Sequence, residues 1–207
     1  MRPVELSGSY EALNRQGGVN EAGLAIANTF VPNDGPQPGV MFGLATRWVL
    51  DTCSTVAEAT EFLEELPHAR NTNFVVADAA GAVAVVKASP DGVRTTTPDG
   101  GIAVTMNHFT TDEMRAFEPA DADRSNSVRR YGTLADWIER RDDPIDADGL
   151  QTTLADPTTE VCACATAEAS DPVETLWWWT ATLEAPSIQL SAGRPDETPY
   201  ESVDLSV

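Results

Sequence analysis

Apolar residues along the chain change spacing several times, and each change marks an element. Leu24-Ala25-Ile26-Ala27-Asn28-Thr29-Phe30 follows the turn-rich segment Gly17 to Gly23 and reads as a buried strand whose small residues permit close packing. Val31 to Gly39 holds three prolines and two glycines, which predicts a loop. From Val40 to Leu50 the apolar residues Leu44, Trp48 and Val49 recur at helical spacing. Thr55-Val56-Ala57-Glu58 then has the form of a capping box, in which a hydroxyl and a carboxylate satisfy free backbone donors. Val56, Ala59, Phe62, Leu63 and Leu66 continue as an apolar stripe, so a second helix is predicted, ended by Pro67.

Strand-like runs follow at Asn73 to Ala77, Ala82 to Ala88, Val93 to Thr97 and Ile102 to Thr105. The turns between them, Asp78-Ala79-Ala80-Gly81, Pro90-Asp91-Gly92 and Pro98-Asp99-Gly100, are short enough to predict an antiparallel meander. After Phe109 an acidic loop is expected as far as Asp123, then a helix from Ser127 to Arg140 carrying Tyr131, Leu134, Trp137 and Ile138. Asp146 to Leu154 reads as a further helix with Asp146 as its cap. Thr175 to Leu183 and Ser187 to Leu190 are the last predicted strands. The adjacent Trp177, Trp178 and Trp179 cannot all face one side of a strand, so burial on both faces is expected. Met1 to Gly18 is polar, carries no strong pattern and has the character of a tail begun earlier. No repeat, low-complexity tract or linker interrupts the chain, and a single domain over residues 1–207 is expected.

Charge changes the picture more than length does. Thirteen basic residues against 33 acidic ones give a net charge of -20, and a single basic residue, Lys87, is a lysine. Such a surface repels nucleic acid and anionic lipid, so neither is expected as a partner. Acidic excess with almost no lysine suits concentrated salt, where screening removes self-repulsion. The chain is not disordered by composition, because 42% hydrophobic residues in periodic segments can build a core. The sequence near Met1 has no apolar stretch of the signal-peptide kind, and no run has bilayer-spanning length, which leads to the expectation of a cytoplasmic protein. Cys53, Cys162 and Cys164 are odd in number, and Cys162-Ala163-Cys164 lacks the two-residue spacer of zinc or redox pairs. They are read as reduced and mostly buried. Asp121, Asp123, Asp142 and Asp143 have no His or Cys at ligand spacing and read as a solvated surface.

Candidate chemistry concentrates in Val104-Thr105-Met106-Asn107-His108-Phe109, where an apolar run stops at an amide, an imidazole and an aromatic ring. An asparagine there can point its NH₂ into a cleft as the neutral donor that an acyl-transfer oxyanion needs. The other reading is that Asn107 caps a turn and His108 is a satisfied structural ring. His68, after a predicted helix, suits a donor or cation at a helix C-terminus.

Taken together, Asn20-Glu21-x-Gly23-Leu24-Ala25, Cys53-x-Thr55-Val56-x-Glu58-Ala59, Leu66-Pro67-His68-Ala69, Asn73-Phe74-x-x-Ala77-Asp78-x-x-Gly81, Asn107-His108-Phe109, Ser127-x-x-Arg130-Tyr131 and Gly193-Arg194-Pro195 occur in an order that resembles the acyl-coenzyme A:6-aminopenicillanic acid acyltransferase family. These are cysteine N-terminal-nucleophile hydrolases related to penicillin V acylase and bile salt hydrolase, and the resemblance spans roughly Gly17 to Leu205. It implies an α+β fold, an αββα sandwich of two antiparallel sheets between helical layers. It also implies a thiolate at a chain N-terminus that attacks an amide or acyl carbonyl with its own α-amine as base. On the same resemblance Asn107 donates to the oxyanion, Arg130 supports nucleophile or substrate, and Asn28 matches a second amide near the pocket. No cofactor or metal is implied.

In the family the nucleophilic cysteine precedes the Asn-Glu-x-Gly-Leu motif, and Met1 is not a cysteine. The expectation is therefore the C-terminal part of such a domain, N-terminally truncated, in which Cys162 and Cys164 do not substitute for the missing thiol. Three readings follow: an amidohydrolase or acyltransferase acting on a small-molecule amide or acyl-thioester, a catalytically inactive ligand-binding remnant, and a subunit completed by a separate N-terminal polypeptide. Missing inner strands would expose sheet edges and apolar surface, so an N-terminal fragment or a second copy is expected as partner.

Overall fold

The computed structural model describes residues 3–6, 15–141, 145–156, 161 and 175–203. Contacts divide the chain into two compact units, Met1–Val128 with Leu183–Pro186, and Arg129–Thr182 with Ser187–Val207. Cys162, Cys164, Asp142 and Asp143 lie outside the described residues.

The first unit is built on a six-stranded sheet in which neighbours in space are neighbours in sequence: β1 (Pro3–Leu6), β2 (Gly17–Asn20), β3 (Ala25–Phe30), β4 (Thr72–Ala77), β5 (Val83–Ser89) and β6 (Gly92–Thr96). Every pair is antiparallel, as the short turns require between β2 and β3, β4 and β5, and β5 and β6. Between β3 and β4 the chain forms α1 (Phe42–Thr52) and α2 (Val56–Glu65). Ile26, Phe74, Val76, Ala84, Val86 and Ala88 occupy one face of the sheet and bury against Ala45, Val49 and Leu50 of α1 and Val56, Ala59 and Leu63 of α2. Burying a ring of the size of Phe74 contributes about 2–3 kcal/mol, so this seam carries much of the unit's stability. The helix α2 starts where the capping box predicts: Thr55 accepts from the Glu58 N–H at 3.2 Å. The Glu58 carboxylate reaches back to the Ser54 N–H at 2.6 Å, one residue before the cap itself. The helix stops at Leu66, which is extended ahead of Pro67 as sterics with the ring demand.

Alternation puts a different row on the opposite face. Thr29, Asn73, Lys87 and Arg94 are register partners across β3 to β6, so their side chains share the face turned away from α1 and α2. Lys87 is only 4% exposed and donates to Thr96 Oγ1 at 2.9 Å. Burial, and then the like charge of Arg94, lowers its pKa from the ordinary lysine value.

In the second unit α4 (Ser125–Glu139), which begins in the first unit, is followed by α5 (Ala147–Ala155) and a three-stranded antiparallel sheet of β7 (Trp178–Thr182), β8 (Ser187–Ser191) and β9 (Glu201–Val203). Asp146 caps α5 as predicted, accepting from the Gly149 N–H at 2.7 Å. Gln151 of α5 donates to Thr180 Oγ1 at 2.7 Å and to Gln189 Oε1, joining the helix to β7 and β8. Trp177, Trp178 and Trp179 are all half-buried.

Several expectations need correction. Gly17–Asn20, expected to lie within a turn-rich segment, is strand β2, and the turn is confined to the residues that follow it. Residues Pro3–Leu6 form a strand although the first eighteen residues show no pattern, because four residues are too short to display alternation. Ile102 to Thr105 joins no sheet. Gly100 and Gly101, both at φ +74°, turn the chain after β6, and it then crosses to β3 and β4 instead of pairing. Asn107 is consequently a loop residue and not the end of a strand. The acidic stretch after Phe109 contains a one-turn helix, α3 (Asp112–Arg115), and β9 was not foreseen because its three residues carry no alternation.

Candidate functional site

Most of the family-like motifs turn out to be joints of the first unit. The Asn20 side chain donates to Leu50 O at 3.1 Å and Cys53 O at 2.8 Å, and accepts from the N–H groups of Ala22 and Leu24, both at 3.1 Å. Gly23 is at φ +76°, and a Cβ there would stand 2.5 Å from Leu183 O. Asp78 accepts from Val56 N–H at 2.9 Å, Ala80 N–H at 3.0 Å and Ala82 N–H at 3.1 Å, fixing both its own turn and the first turn of α2. Leu66-Pro67-His68-Ala69 pairs with the end of the preceding loop: Val40 N–H donates to Pro67 O, and Ala69 N–H to Val40 O. His68 shares a 2.8 Å hydrogen bond between Nε2 and Leu63 O in the last turn of α2. Its burial lowers the ring's pKa, so it serves there as a neutral donor and not as a cation.

Residues 105–109 are different, because side chains and not a β ladder hold them. Thr29 Oγ1 donates to Met106 O at 2.9 Å, and Asn73 Nδ2 donates to Met106 O and His108 O, both at 3.0 Å. The Asn107 side chain donates to Phe30 O at 2.8 Å. His108 is buried, and its Nδ1 shares a 2.7 Å hydrogen bond with Ser127 Oγ. Phe109 N–H donates to Glu118 Oε1 at 2.7 Å, and Arg115 Nε to Phe109 O at 3.1 Å. Glu118, fully enclosed, also meets Arg124 Nε at 3.6 Å, an ion pair too long for a direct hydrogen bond. Val31, Phe109 and Met114 form a small core beneath this network. The loop is thus a fixed platform for a half-buried amide at the end of β3.

Asn28 is also on β3 but faces the other way. It donates to Gln16 O at 2.8 Å and to Thr46 Oγ1 of α1 at 3.2 Å, so it sits on the helical side while Thr29 and Asn73 anchor the Asn107 loop on the opposite side. Arg130 belongs to the second unit, half-buried on α4, where desolvation and the neighbouring Arg129 lower its pKa. Cys53 is buried between α1 and α2, and burial raises its thiol pKa, the reverse of what a nucleophile needs. A cavity of about 540 Å³ lies between the end of α2 and the β5–β6 hairpin, lined by Glu64, His68, Asp91, Arg94 and Thr95 among others. It includes neither Asn107 nor Asn28, and the amide loop is the better candidate because its chemistry is built and the cavity's is not. Among the described residues no cluster of three or more His, Cys, Asp or Glu could hold a metal, and no helix is long and apolar enough to cross a membrane.

The family model described as acyl-coenzyme A:6-aminopenicillanic acid acyl-transferase matches residues 8–197. The chain belongs to this family. Among solved structures, this acyl-transferase family chain resembles penicillin V acylase from Agrobacterium tumefaciens with a TM-score of 0.61 and 21% identity, over 92% of this chain and 66% of that one. It resembles conjugated bile acid hydrolase from Clostridium perfringens with a TM-score of 0.60 and 14% identity, over 93% of this chain and 73% of that one. At these identities the likeness is one of fold: helices with antiparallel sheets, as in these N-terminal-nucleophile hydrolases. The chain spans about two thirds of the acylase's length. No curated protein matches it.

Sequence reasoning did not find Thr29, Asn73, Ser127 or Glu118 as supports of the loop. A signal for Asn73 was present: asparagine is depleted in strands, yet this one leads an apolar run.

Proposed function

We propose that the chain is the oxyanion-binding part of a cysteine amidohydrolase or acyltransferase that acts on a linear amide or acyl-thioester carbonyl of a small molecule. The observation that carries the reading is the amide of Asn107, held at the end of β3 by a loop that side-chain hydrogen bonds fix at both flanking carbonyls. Family membership over residues 8–197 supports it, and that family model runs across both compact units, in keeping with one domain over the whole chain.

In the proposed reaction a thiolate attacks the carbonyl carbon, and the carbonyl's π electrons move to oxygen. Asn107 donates a hydrogen bond to that oxyanion, an interaction stronger in the transition state than in the ground state. Collapse expels the amine or thiol, which takes the proton released by the nucleophile, and leaves an acyl-thioester. Water or an acceptor amine then removes the acyl group, giving hydrolysis or transfer respectively. Arg130 is assigned to supporting the nucleophile or the substrate. Asn28, which ties β3 to α1, is assigned to holding the strand that Asn107 bonds to.

Cys53 is not that thiol, because it is buried and its pKa is raised. The thiol is assigned to a cysteine with a free α-amine on polypeptide outside these 207 residues, contiguous or as a separate fragment. The test is turnover of simple acyl amides by protein isolated from its native cells at high salt, with Asn107→Ala beside it. The substitution should lower kcat by about a hundredfold or more, the effect of removing one oxyanion donor. Unchanged turnover removes Asn107 from the mechanism, and complete absence of turnover in the parent favours a ligand-binding remnant.

A further inference from the structure

Asn73 is 1% exposed on β4, and its Nδ2 donates one hydrogen bond to each of the two carbonyls that bracket Asn107, Met106 O and His108 O, both at 3.0 Å. These bonds span 33 and 35 residues of sequence. The loop they hold has no ladder of its own, since Ile102 to Thr105 joins no sheet and Gly100 and Gly101 turn the chain upstream. Both N–H groups of one planar amide are thus spent on the peptide unit that enters Asn107 and on the one that leaves His108, so they pin the backbone on either side of this pair and with it the direction of the Asn107 Cα–Cβ bond. Thr29 Oγ1 adds a second donor to Met106 O from the neighbouring strand.

We infer that Asn73 is the positioning residue of the oxyanion site, a clamp whose two donated bonds aim the Asn107 amide. This rests on the reading of Asn107 given above. The competing description is a buried asparagine that only stabilises the sheet, and the two differ in what a substitution moves. A displacement of about 1 Å in a catalytic group costs on the order of a hundredfold in rate. A purely structural loss lowers stability and the amount of folded enzyme without such a specific effect.

Asn73→Asp separates them, because Lys87 stands directly opposite on β5. The introduced carboxylate keeps the shape and gains a cross-strand partner of opposite charge, so the fold is retained. It has no N–H to give, and presents oxygen to two carbonyl oxygens. The expected result is a kcat lower by about 10- to 100-fold, KM within about threefold and a melting temperature within a few degrees of the parent. In an Asn107→Ala background the same substitution should cost less than about twofold, since it acts through Asn107. Hydrogen exchange at the amides of residues 105–108 should rise at least about tenfold while β4 and β5 are unchanged. Equal loss in both backgrounds, or unchanged exchange in the loop, overturns the assignment. A parent without amide turnover refutes the proposed function instead, and exchange alone then decides the clamp: faster exchange in Asn73→Asp upholds it and unchanged exchange overturns it.

Discussion

Asn20→Ala should be among the most damaging single changes in the first unit. The side chain is buried at the end of β2 and, among the described residues, makes four hydrogen bonds, two donated to the carbonyls of Leu50 and Cys53 and two accepted from the N–H groups of Ala22 and Leu24. It therefore ties the β2–β3 turn to the end of α1, closing loops of 30 and 33 residues. At a net value of about 1 kcal/mol for each bond, the loss is about 4 kcal/mol, and alanine leaves groups buried that water reaches poorly. That is a large share of the roughly 5–15 kcal/mol that holds a domain folded. Equilibrium urea unfolding at high salt, read by tryptophan fluorescence, measures it. Asn20→Asp keeps the acceptor and loses both donors, so it should be destabilised by at least half as much. A loss below about 1 kcal/mol in Asn20→Ala would refute the view that the Asn-Glu-x-Gly-Leu motif is a structural joint.

Other expectations follow from single side chains. His68 has a folded pKa below its ordinary value of 6.5, so the stability it contributes is fully present above pH 6.5 and is lost as pH falls through the folded value. In His68→Gln the decline in stability on acidification below pH 6.5 should be shallower than in the parent, and an identical decline would contradict this. Lys87→Met removes a buried ammonium that has a hydroxyl and no carboxylate as partner among the described residues. It should be neutral or stabilising by about 1–2 kcal/mol in denaturant titrations, and a loss above about 2 kcal/mol would mean that the charge is compensated. With a net charge of -20, the melting temperature should climb steeply between dilute buffer and molar potassium chloride. A flat response would remove the argument for adaptation to salt.

How much of this was legible in the sequence depended on the range of the interactions involved. The capping box at Thr55, the Pro67 stop, the two hairpins of β4 to β6 and the Asp146 cap follow from residues a few positions apart, and they stand where the pattern put them. Ile102 to Thr105 misled because its apolar residues match a strand while two left-handed glycines before it and two donors on distant strands decide its path. The same distance hid the site. Asn107 was visible as a residue type at an abrupt change of pattern, but Asn73 and Thr29 reach the neighbouring Met106 carbonyl across 33 and 77 residues, and no local rule links them. Asn28 shows the reverse limitation, since its motif position says nothing about which face of β3 it takes; Thr46 on α1 settles that.

The central claim is that Asn107 serves a thiol nucleophile carried outside the 207 residues, and the N-terminal sequence and intact mass of the protein from its native cells at high salt test it most directly. The account predicts a polypeptide, fused to this chain or copurifying with it, that begins with a cysteine. A native protein that starts at Met1, has no copurifying fragment and turns over no amide would contradict the enzymatic account and leave a ligand-binding domain of the same fold.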